Sequence, residues 1–175
     1  YVNNYTGNLV WVRGAMGFGG NRMPVSISLA YNANDAQTNR FGLGYGWRTN
    51  YHQRIDPVSL NGIAWYSWED ADGTRHYFEN KDGVWMDEFN PELTLTASGY
   101  TISDKYGNKS IFDAKGRLIQ KINNQEIASS IQISYNGDTN KITQILDGVG
   151  RKYVFTYSNS GVLTRIAYTG TGQTT

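Results

Sequence analysis

The sequence predicts an all-β fold in which antiparallel β-hairpins follow each other along one curved or spiralling sheet. Isoleucine and valine outnumber leucine, and 13 tyrosines and 5 tryptophans are spread along 175 residues. Such β-branched and aromatic residues are enriched in strands. Turn dipeptides that end in glycine recur at positions 62, 73, 83, 99, 107 and 116, mostly at the 8 to 11 residue spacing of hairpins. A short phrase also repeats between positions 104 and 166.

Composition excludes several classes of protein. The net charge of +1 gives no basic surface that favours nucleic acid or acidic lipid. There is no cysteine, so the chain has neither disulfides nor thiolate chemistry. No apolar run approaches the roughly 20 residues that span a bilayer, and we expect no signal peptide within this sequence. We interpret the sequence as a section of a longer polypeptide. Its expected partner is the rest of that polypeptide.

The residue pattern in the N-terminal third of the sequence predicts strands and one loop. Val10 to Val12 predicts a buried strand, and the glycine-rich residues 15–21 predict a loop. That loop is poorly suited to a phosphate cradle, because Pro24 leads into a strand where a helix would be needed. Alternation from Val25 to Tyr31 predicts a half-buried strand.

Glycine occupies every second position between Phe41 and Trp47. We expect a strand with one bare face, which another backbone or an aromatic ring can approach closely. The strand pattern continues from Arg48 to Ile55. From there to residue 103, turn signals alternate with aromatic-rich segments and predict a series of hairpins.

The stretch from Asp104 to Ile166 repeats one phrase three times, once only in part. Tyr135 and Tyr157 are 22 positions apart, and Ile145 and Ile166 are 21 apart. A fixed period near 20 residues indicates stacked units that are each too small to bury their own apolar face.

The last copy shows what one unit is. Tyr153, Phe155 and Tyr157 fall on one side of a strand, because side chains alternate along it. Residues 158–161 supply a turn, and residues 162, 164, 166 and 168 share one side of the returning strand. Residues 117–136 lack glycine, yet their alternation predicts strand–loop–strand and no helix.

The repeated phrase resembles the YD repeat of Rhs and wall-associated proteins, Tc-toxin cocoons and teneurins. The matching residues are Gly116-Arg117-Leu118 with Ile122, Tyr135-Asn136-Gly137 with Ile145, and Gly150-Arg151 with Phe155-Thr156-Tyr157 and Ile166. One departure is Asn123-Asn124-Gln125, which stands where the family has a glycine after the isoleucine.

The first half resembles the segment that opens a YD-repeat shell, because it shows that family's motifs in the family's order. The motifs are Tyr5-Thr6-Gly7-Asn8-Leu9, Leu29-Ala30-Tyr31-Asn32 and Phe41-Gly42-Leu43-Gly44-Tyr45-Gly46-Trp47, the last lengthened by Tyr45-Gly46. We therefore expect a shell-opening region at 1–103, YD-type hairpins at 104–168 and a flexible tail or linker at 169–175.

The resemblance implies a secreted or cell-surface bacterial protein. In such relatives the repeats build a hollow shell that encloses or presents a C-terminal toxin or effector domain, or a stalk used in adhesion. The self-cleaving aspartates of these shells belong to a far C-terminal motif, which Asp56-Pro57 does not match. We therefore predict a structural segment that is not an enzyme, with no catalytic residue, cofactor, metal or nucleic-acid partner.

Two patterns suggest chemistry only weakly. His52 and His76 are expected on strands beside arginine, which disfavours an imidazolium ion, so a hydrolase ranks third among the functions. Glu69, Asp70 and Asp72 resemble a fragment of a calcium loop but lack its later ligands. A type I′ hairpin turn at Asp72-Gly73 explains the same residues.

The tryptophans carry the second functional hypothesis, a module that binds cell-surface glycan. Trp65, Trp68 and Trp85 are the candidate ligand platform, because exposed aromatic rings stack on sugar rings. Trp65 and Trp68 are expected on opposite faces of one strand. The simpler interpretation places all three in the packed interior.

Overall fold

The computed structural model describes residues 2, 8–17, 23–124, 130–170 and 173–174. In these residues the all-β prediction is confirmed: they form two antiparallel sheets, and their one helix is the 3-10 turn Ala33–Asp35. The first sheet has the order β1 (Val10–Gly17), β2 (Ser26–Asn32) and β3 (Trp47–Thr49). In the second, each strand pairs with the one before it: β4 (Arg54–Leu60), β5 (Ile63–Glu69), β6 (Arg75–Lys81), β7 (Val84–Asp87), β8 (Thr94–Thr96), β9 (Thr101–Ser103), β10 (Lys109–Phe112), β11 (Leu118–Ile122), β12 (Ser130–Tyr135), β13 (Ile142–Leu146), β14 (Lys152–Tyr157), β15 (Leu163–Gly170) and β16 (Gln173–Thr174).

Some predictions fall outside the described residues. They concern residues 5–7 of the first shell-opening motif, most of the glycine-rich loop, and residue 125 of the departure from the repeat. For residues 117–136, the described parts are the strands β11 and β12, so the strand assignment there is confirmed. At the end of the chain, β15 runs to Gly170 and β16 pairs back along it.

The first strand is less buried than its sequence predicts. Val10 is 2% exposed, but Trp11 and Val12 are 47% and 50% exposed, because β1 is an edge strand that pairs only with β2. Elsewhere in this sheet, Ile27 and Ala30 of β2 and Arg48 and Thr49 of β3 are buried. The prediction of a buried strand at residues 10–12 is therefore wrong for two of its three residues.

The glycine-rich motif at residues 41–47 is a loop, and the predicted strand there is wrong. Gly42, Gly44 and Gly46 have φ angles of +78°, +110° and +75°, which a strand does not contain. The predicted close approach is nevertheless confirmed. A Cβ on Gly42 would lie 2.9 Å from the ring of Tyr157, and one on Gly46 would lie 2.9 Å from the carbonyl oxygen of Asn32.

The chain crosses from one sheet to the other where a continuous strand was predicted. β3 ends at Thr49, and the amide of His52 donates to the carbonyl of Thr49 in a turn (2.9 Å). β4 then begins at Arg54 in the second sheet. The prediction of one strand from Arg48 to Ile55 is wrong because it missed this turn.

Three turns in the described part of the repeat region share one aspartate-anchored geometry. In each, an aspartate amide donates to the carbonyl four residues on, and its Oδ1 accepts from the amides two and four residues on. The third residue of the loop is a glycine with positive φ. The turns begin at Asp104, Asp113 and Asp147, and Asp70 starts the same turn in the first half.

This geometry corrects the turn type predicted for Asp72-Gly73. Of that pair only Gly73 has a positive φ (+87°), so the turn is a three-residue loop that starts after Asp70. Type I′ turns, which require positive φ at both central residues, occur instead at Asn61-Gly62 and Asp82-Gly83.

The repeat is visible as a bulge at the same place in three hairpins. Register shifts occur where Phe112 pairs with Leu118, where Tyr135 pairs with Ile142, and where Tyr157 pairs with Leu163. The extra residue changes which side chains of the returning strand face the core. Leu163 therefore packs on the core, while Val162 is 42% exposed. The prediction that residues 162 and 164 share the side of Ile166 is therefore wrong.

The core lies between β2 and one side of the long sheet. Tyr153 and Phe155 are 0% and 4% exposed, which confirms the side predicted for them, and they pack in one cluster with Ile27. The long sheet also bends back on itself, because the amide of Ile55 in β4 donates to the carbonyl of Gly116 (2.8 Å). Strands β4 to β11 thus close into a ring at one end.

Candidate functional site

A buried ion cluster joins the two sheets. Arg48 on β3 is 0% exposed, and both of its terminal nitrogens lie 3.3 Å from Oε2 of Glu69 at the end of β5. Asp35 and Arg40 complete the cluster by pairing with Arg48 and Glu69, respectively. Arg75 adds a bond of 3.1 Å to Oε1 of Glu69. The cluster therefore holds the first sheet against the β5–β6 hairpin.

The charges around Glu69 and the space beside Gly73 both allow this cluster to form. Burial opposes ionisation of Glu69, but the hydrogen bond from Arg40 and the charges of the three arginines outweigh it, so the pKa of Glu69 is lowered. Gly73 leaves room for the guanidinium, because a Cβ there would lie 2.9 Å from Cζ of Arg48. The ring of Phe41 lies 5.1 Å from the same carbon.

His52 lies in the buried turn between β3 and β4, not on a strand as predicted. Its Nδ1 accepts a hydrogen bond from the amide of Thr49 (3.0 Å), and its ring packs at 4.4 Å from Phe41. Burial and the nearby charges of Arg48 and Arg40 lower the pKa of His52 to about 3. The imidazole is thus neutral, and its contacts stabilise the turn between β3 and β4.

His76 lies on β6 between two carboxylates. Its Nε2 is 3.2 Å from Oδ2 of Asp70, and its Nδ1 is 3.1 Å from Oδ2 of Asp87. The hydrogen bond to Asp70 is the main cause of a raised pKa for His76, although partial burial opposes it. The expectation that its neighbours disfavour an imidazolium ion is therefore wrong.

The two carboxylates connect His76 to separate loops. Asp87 is 1% exposed, and its Oδ1 accepts from the amides of Phe89 and Asn90 (3.0 and 2.8 Å). Asp70 anchors its own turn. His76 therefore links the turn after β5 to the loop after β7.

The acidic residues of the calcium hypothesis do not converge. Glu69 faces the arginine cluster and Asp70 faces His76, while Asp72 accepts from the hydroxyl of Thr74 (2.6 Å). Across residues 8–17, 23–124 and 130–170, no three His, Asp or Glu side chains are grouped so as to hold a metal ion.

The three tryptophans of the glycan hypothesis do not form one platform. Trp68 and Trp85 are half-buried against the core, with Trp68 at 4.8 Å from the His76 ring and Trp85 edge-on at 4.8 Å from Tyr66. Trp65 is also half-buried, three positions before Trp68 on β5. Sugar binding by these residues stays a prediction.

Contacts between successive hairpins are the most regular feature of the second half. The hydroxyl of Tyr135 donates to the carbonyl of Leu118 (2.8 Å), and the hydroxyl of Tyr157 donates to the carbonyl of Ile142 (2.9 Å). Each acceptor begins the returning strand of the preceding hairpin. Arg117 also lies 4.6 Å above the Tyr135 ring. The tyrosine of one unit thus fastens the unit before it.

A cavity of about 460 Å³ opens beside Trp68 and Asp70. Side chains from both halves of the chain line it, including Gln53, whose Oε1 accepts from the Trp68 indole (3.3 Å). The floor comes from strands β9 to β11 and contains Ser110 and Lys121. Sequence analysis missed Lys121, because simple alternation from Leu118 places it on the opposite side of β11.

Comparison with known proteins gives two findings. Residues 1–78 match the family described as "Domain of unknown function (DUF6531)". Over 145 residues, 81% of this chain, the sequence is 32% identical to "tRNA nuclease WapA" of Bacillus subtilis (strain 168) and to "tRNA(Glu)-specific nuclease WapA" of Bacillus subtilis subsp. natto (strain BEST195). The same identity and coverage relate it to "tRNA3(Ser)-specific nuclease WapA" of Bacillus spizizenii.

The chain spans only 6% of the length of these relatives. They are named as nucleases, so the prediction of a protein without enzymatic activity is wrong. Both findings are compatible with the YD-repeat resemblance. In the part of the chain that the structure describes, no helix has the length and apolar character needed to cross a membrane.

Proposed function

We propose that this chain is one section of a much larger bacterial protein of the YD-repeat class, and that the larger protein has nuclease activity. The likeness to 6% of relatives that are named tRNA nucleases supports this view. Within that protein, the section is a β-framework that opens the repeat shell and holds the first hairpins together. Its partner is the remainder of its own polypeptide, and its location is extracellular.

One observation carries the framework role: the hydroxyls of Tyr135 and Tyr157 reach back to the preceding hairpin at the same structural position. Repeat units of this size depend on neighbours to cover their apolar side. A tyrosine hydroxyl that crosses from unit to unit fixes their spacing and satisfies a main-chain acceptor. The same contact at a 22-residue interval indicates a series that continues through further units.

The first half supplies the starting structure for that series. Its three-stranded sheet packs Ile27 into the shared core, and Arg48 and Glu69 join it to the long sheet. The hydrogen bond between Ile55 and Gly116 supports an opening region that packs against the first repeat hairpin. We place the boundary between the opening region and the hairpin repeats at residue 103.

The test uses the larger protein that contains this section. Tyr157→Phe should increase protease cleavage in the 158–161 turn, while tRNA cleavage per folded molecule stays unchanged. Tyr45→Phe is the matched control, because that ring is 65% exposed. The framework role would be overturned if Asp70→Asn or His76→Gln abolished tRNA cleavage in a protein that remained folded.

A further inference from the structure

The floor of the cavity breaks the apolar pattern of the sheet. Register places Ile102, Ser110, Lys121 and Ile131 side by side on four adjacent strands. Cross-strand partners share one side of a sheet. The outer two, Ile102 and Ile131, are 3% and 5% exposed and belong to the core. A hydroxyl and an amine therefore occupy the middle of a row of core positions.

The bulge at the start of β11 puts Lys121 on this side. The pairing shifts between Ile111 and Phe112, so Leu118 and Lys121 both face inward although they are three residues apart. Lysine is rarely buried without a partner. Among the residues that the structure describes, none makes a hydrogen bond or ion pair to the Lys121 amine.

The carboxylates that line the cavity are already engaged. Asp70 bonds to His76. Asp104 anchors its own turn and accepts from the side-chain amide of Asn108 (2.8 Å). Burial lowers the pKa of Lys121. Within the part of the chain that the structure describes, the cavity thus offers an amine with no carboxylate partner beside the ring of Trp68.

We propose that this cavity binds a small aromatic monocarboxylate, whose carboxylate pairs with Nζ of Lys121 and whose ring lies against Trp68. The volume falls within the range of small-molecule sites, which is roughly 300 to 1,000 Å³. One amine and one hydroxyl suit a singly charged group. A phosphate is usually held by arginine or by several donors, and the cavity lining contains no arginine among the described residues.

The position of Lys121 has a cost that a ligand would offset. A charged group removed from water without a partner destabilises the fold. Departures from the apolar pattern are expected where a site serves a function. A bound carboxylate favours the charged amine, so binding weakens when the amine loses its proton at high pH.

Isothermal titration calorimetry on the full chain tests the proposal, with phenylacetate as the probe and phenylacetamide as its neutral analogue. Lys121→Met should weaken phenylacetate binding about tenfold or more, the usual effect of losing a hydrogen bond to a charged group. Lys152→Met is the control, because Lys152 is an exposed residue of β14. Phenylacetamide should bind the wild-type chain about tenfold more weakly than phenylacetate.

Two further measurements keep the test decisive. Lys121→Met should melt at a higher temperature than the wild-type chain without ligand, since it removes a half-buried amine from a row of core positions. In the wild-type chain, phenylacetate should shift the NMR signals of the Lys121 side chain. No saturable binding at millimolar phenylacetate, equal binding by Lys121→Met, or tighter binding of phenyl phosphate would overturn the proposal.

Discussion

The hydroxyl of Tyr157 lies 2.9 Å from the carbonyl oxygen of Ile142, which belongs to the hairpin before its own. Tyr135 makes the equivalent bond to Leu118 at 2.8 Å. Burial raises the pKa of both hydroxyls, so each stays protonated and remains a donor. These two hydrogen bonds join each hairpin to the one before it, so the stability of one hairpin depends on its neighbour.

Removal of one of these hydroxyls should weaken the whole sheet. We expect Tyr157→Phe to lower the free energy of unfolding by about 1 kcal/mol, because one buried hydrogen bond is lost and its acceptor is left unpaired. Urea denaturation followed by tryptophan fluorescence measures this change. Tyr45→Phe should change stability by less than about 0.5 kcal/mol, and an equal loss in both variants would contradict the assignment.

Gly116 should tolerate no side chain. Its φ is +75°, and a Cβ would lie 1.9 Å from the carbonyl oxygen of Ile55. We expect Gly116→Ala to cost at least about 4 kcal/mol, a loss large enough to signal a specific steric cause. Thermal and urea unfolding of the variant provide the measurement.

Gly62→Ala is the control for backbone strain alone. Its φ is +79°, but nothing lies within 4 Å of an added Cβ. Its cost should be only about 1 to 2 kcal/mol, the usual penalty for a left-handed conformation. Similar losses at both glycines would show that β4 does not approach the turn at residue 116.

The buried Arg48–Glu69 pair should respond strongly to the loss of one charge. Glu69→Gln removes the carboxylate that Arg48 shares with Arg40 and leaves Arg48 paired with Asp35. Breaking a buried ion pair by loss of one partner typically costs about 3 to 5 kcal/mol. Glu79 pairs with Lys81 at 3.2 Å on the exposed surface, so Glu79→Gln should cost less than about 1 kcal/mol. Denaturant unfolding compares the two; equal small effects would contradict the role of this cluster.

The two histidines should give opposite pH dependences. The pKa of His76 is raised in the folded chain, so its stabilising contribution is complete below its ordinary value of 6.5 and is lost as pH rises through the folded value. The stability difference between wild type and His76→Gln should therefore shrink from about pH 5 to about pH 9. A difference that grows over this range would show that the imidazolium is not held by Asp70 and Asp87.

His52 should behave in the reverse way. Its pKa is lowered to about 3, so its contribution is complete above 6.5 and declines as pH falls toward the folded value. Comparison of wild type with His52→Gln over the acidic range measures this decline. A flat difference would mean that the ring is accessible to water.

Local signals in the sequence determined much of what was predictable. Alternation placed Tyr153 and Phe155 in the core, and the glycine turns located most hairpins, because both signals act within a few residues. The motif at residues 41–47 revealed a close approach but not its loop conformation. There, three glycines with positive φ override the alternating pattern.

Other features depend on contacts between distant parts of the chain. The bond between Ile55 and Gly116 joins residues 61 positions apart, and no short pattern encodes it. The bulge before Lys121 reverses which residues face the core, so alternation from Leu118 alone would place that amine in solvent. The Arg48–Glu69 cluster draws charges from separate elements, each of which looks like ordinary surface in the sequence.

Amide hydrogen exchange of Tyr157→Phe, followed by NMR, tests the dependence of successive hairpins on each other most directly. If the hairpins support each other, exchange should accelerate in the β12–β13 hairpin, which contains Ile142, as well as in the β14–β15 hairpin that contains the substitution. Acceleration confined to β14 and β15 would contradict the account.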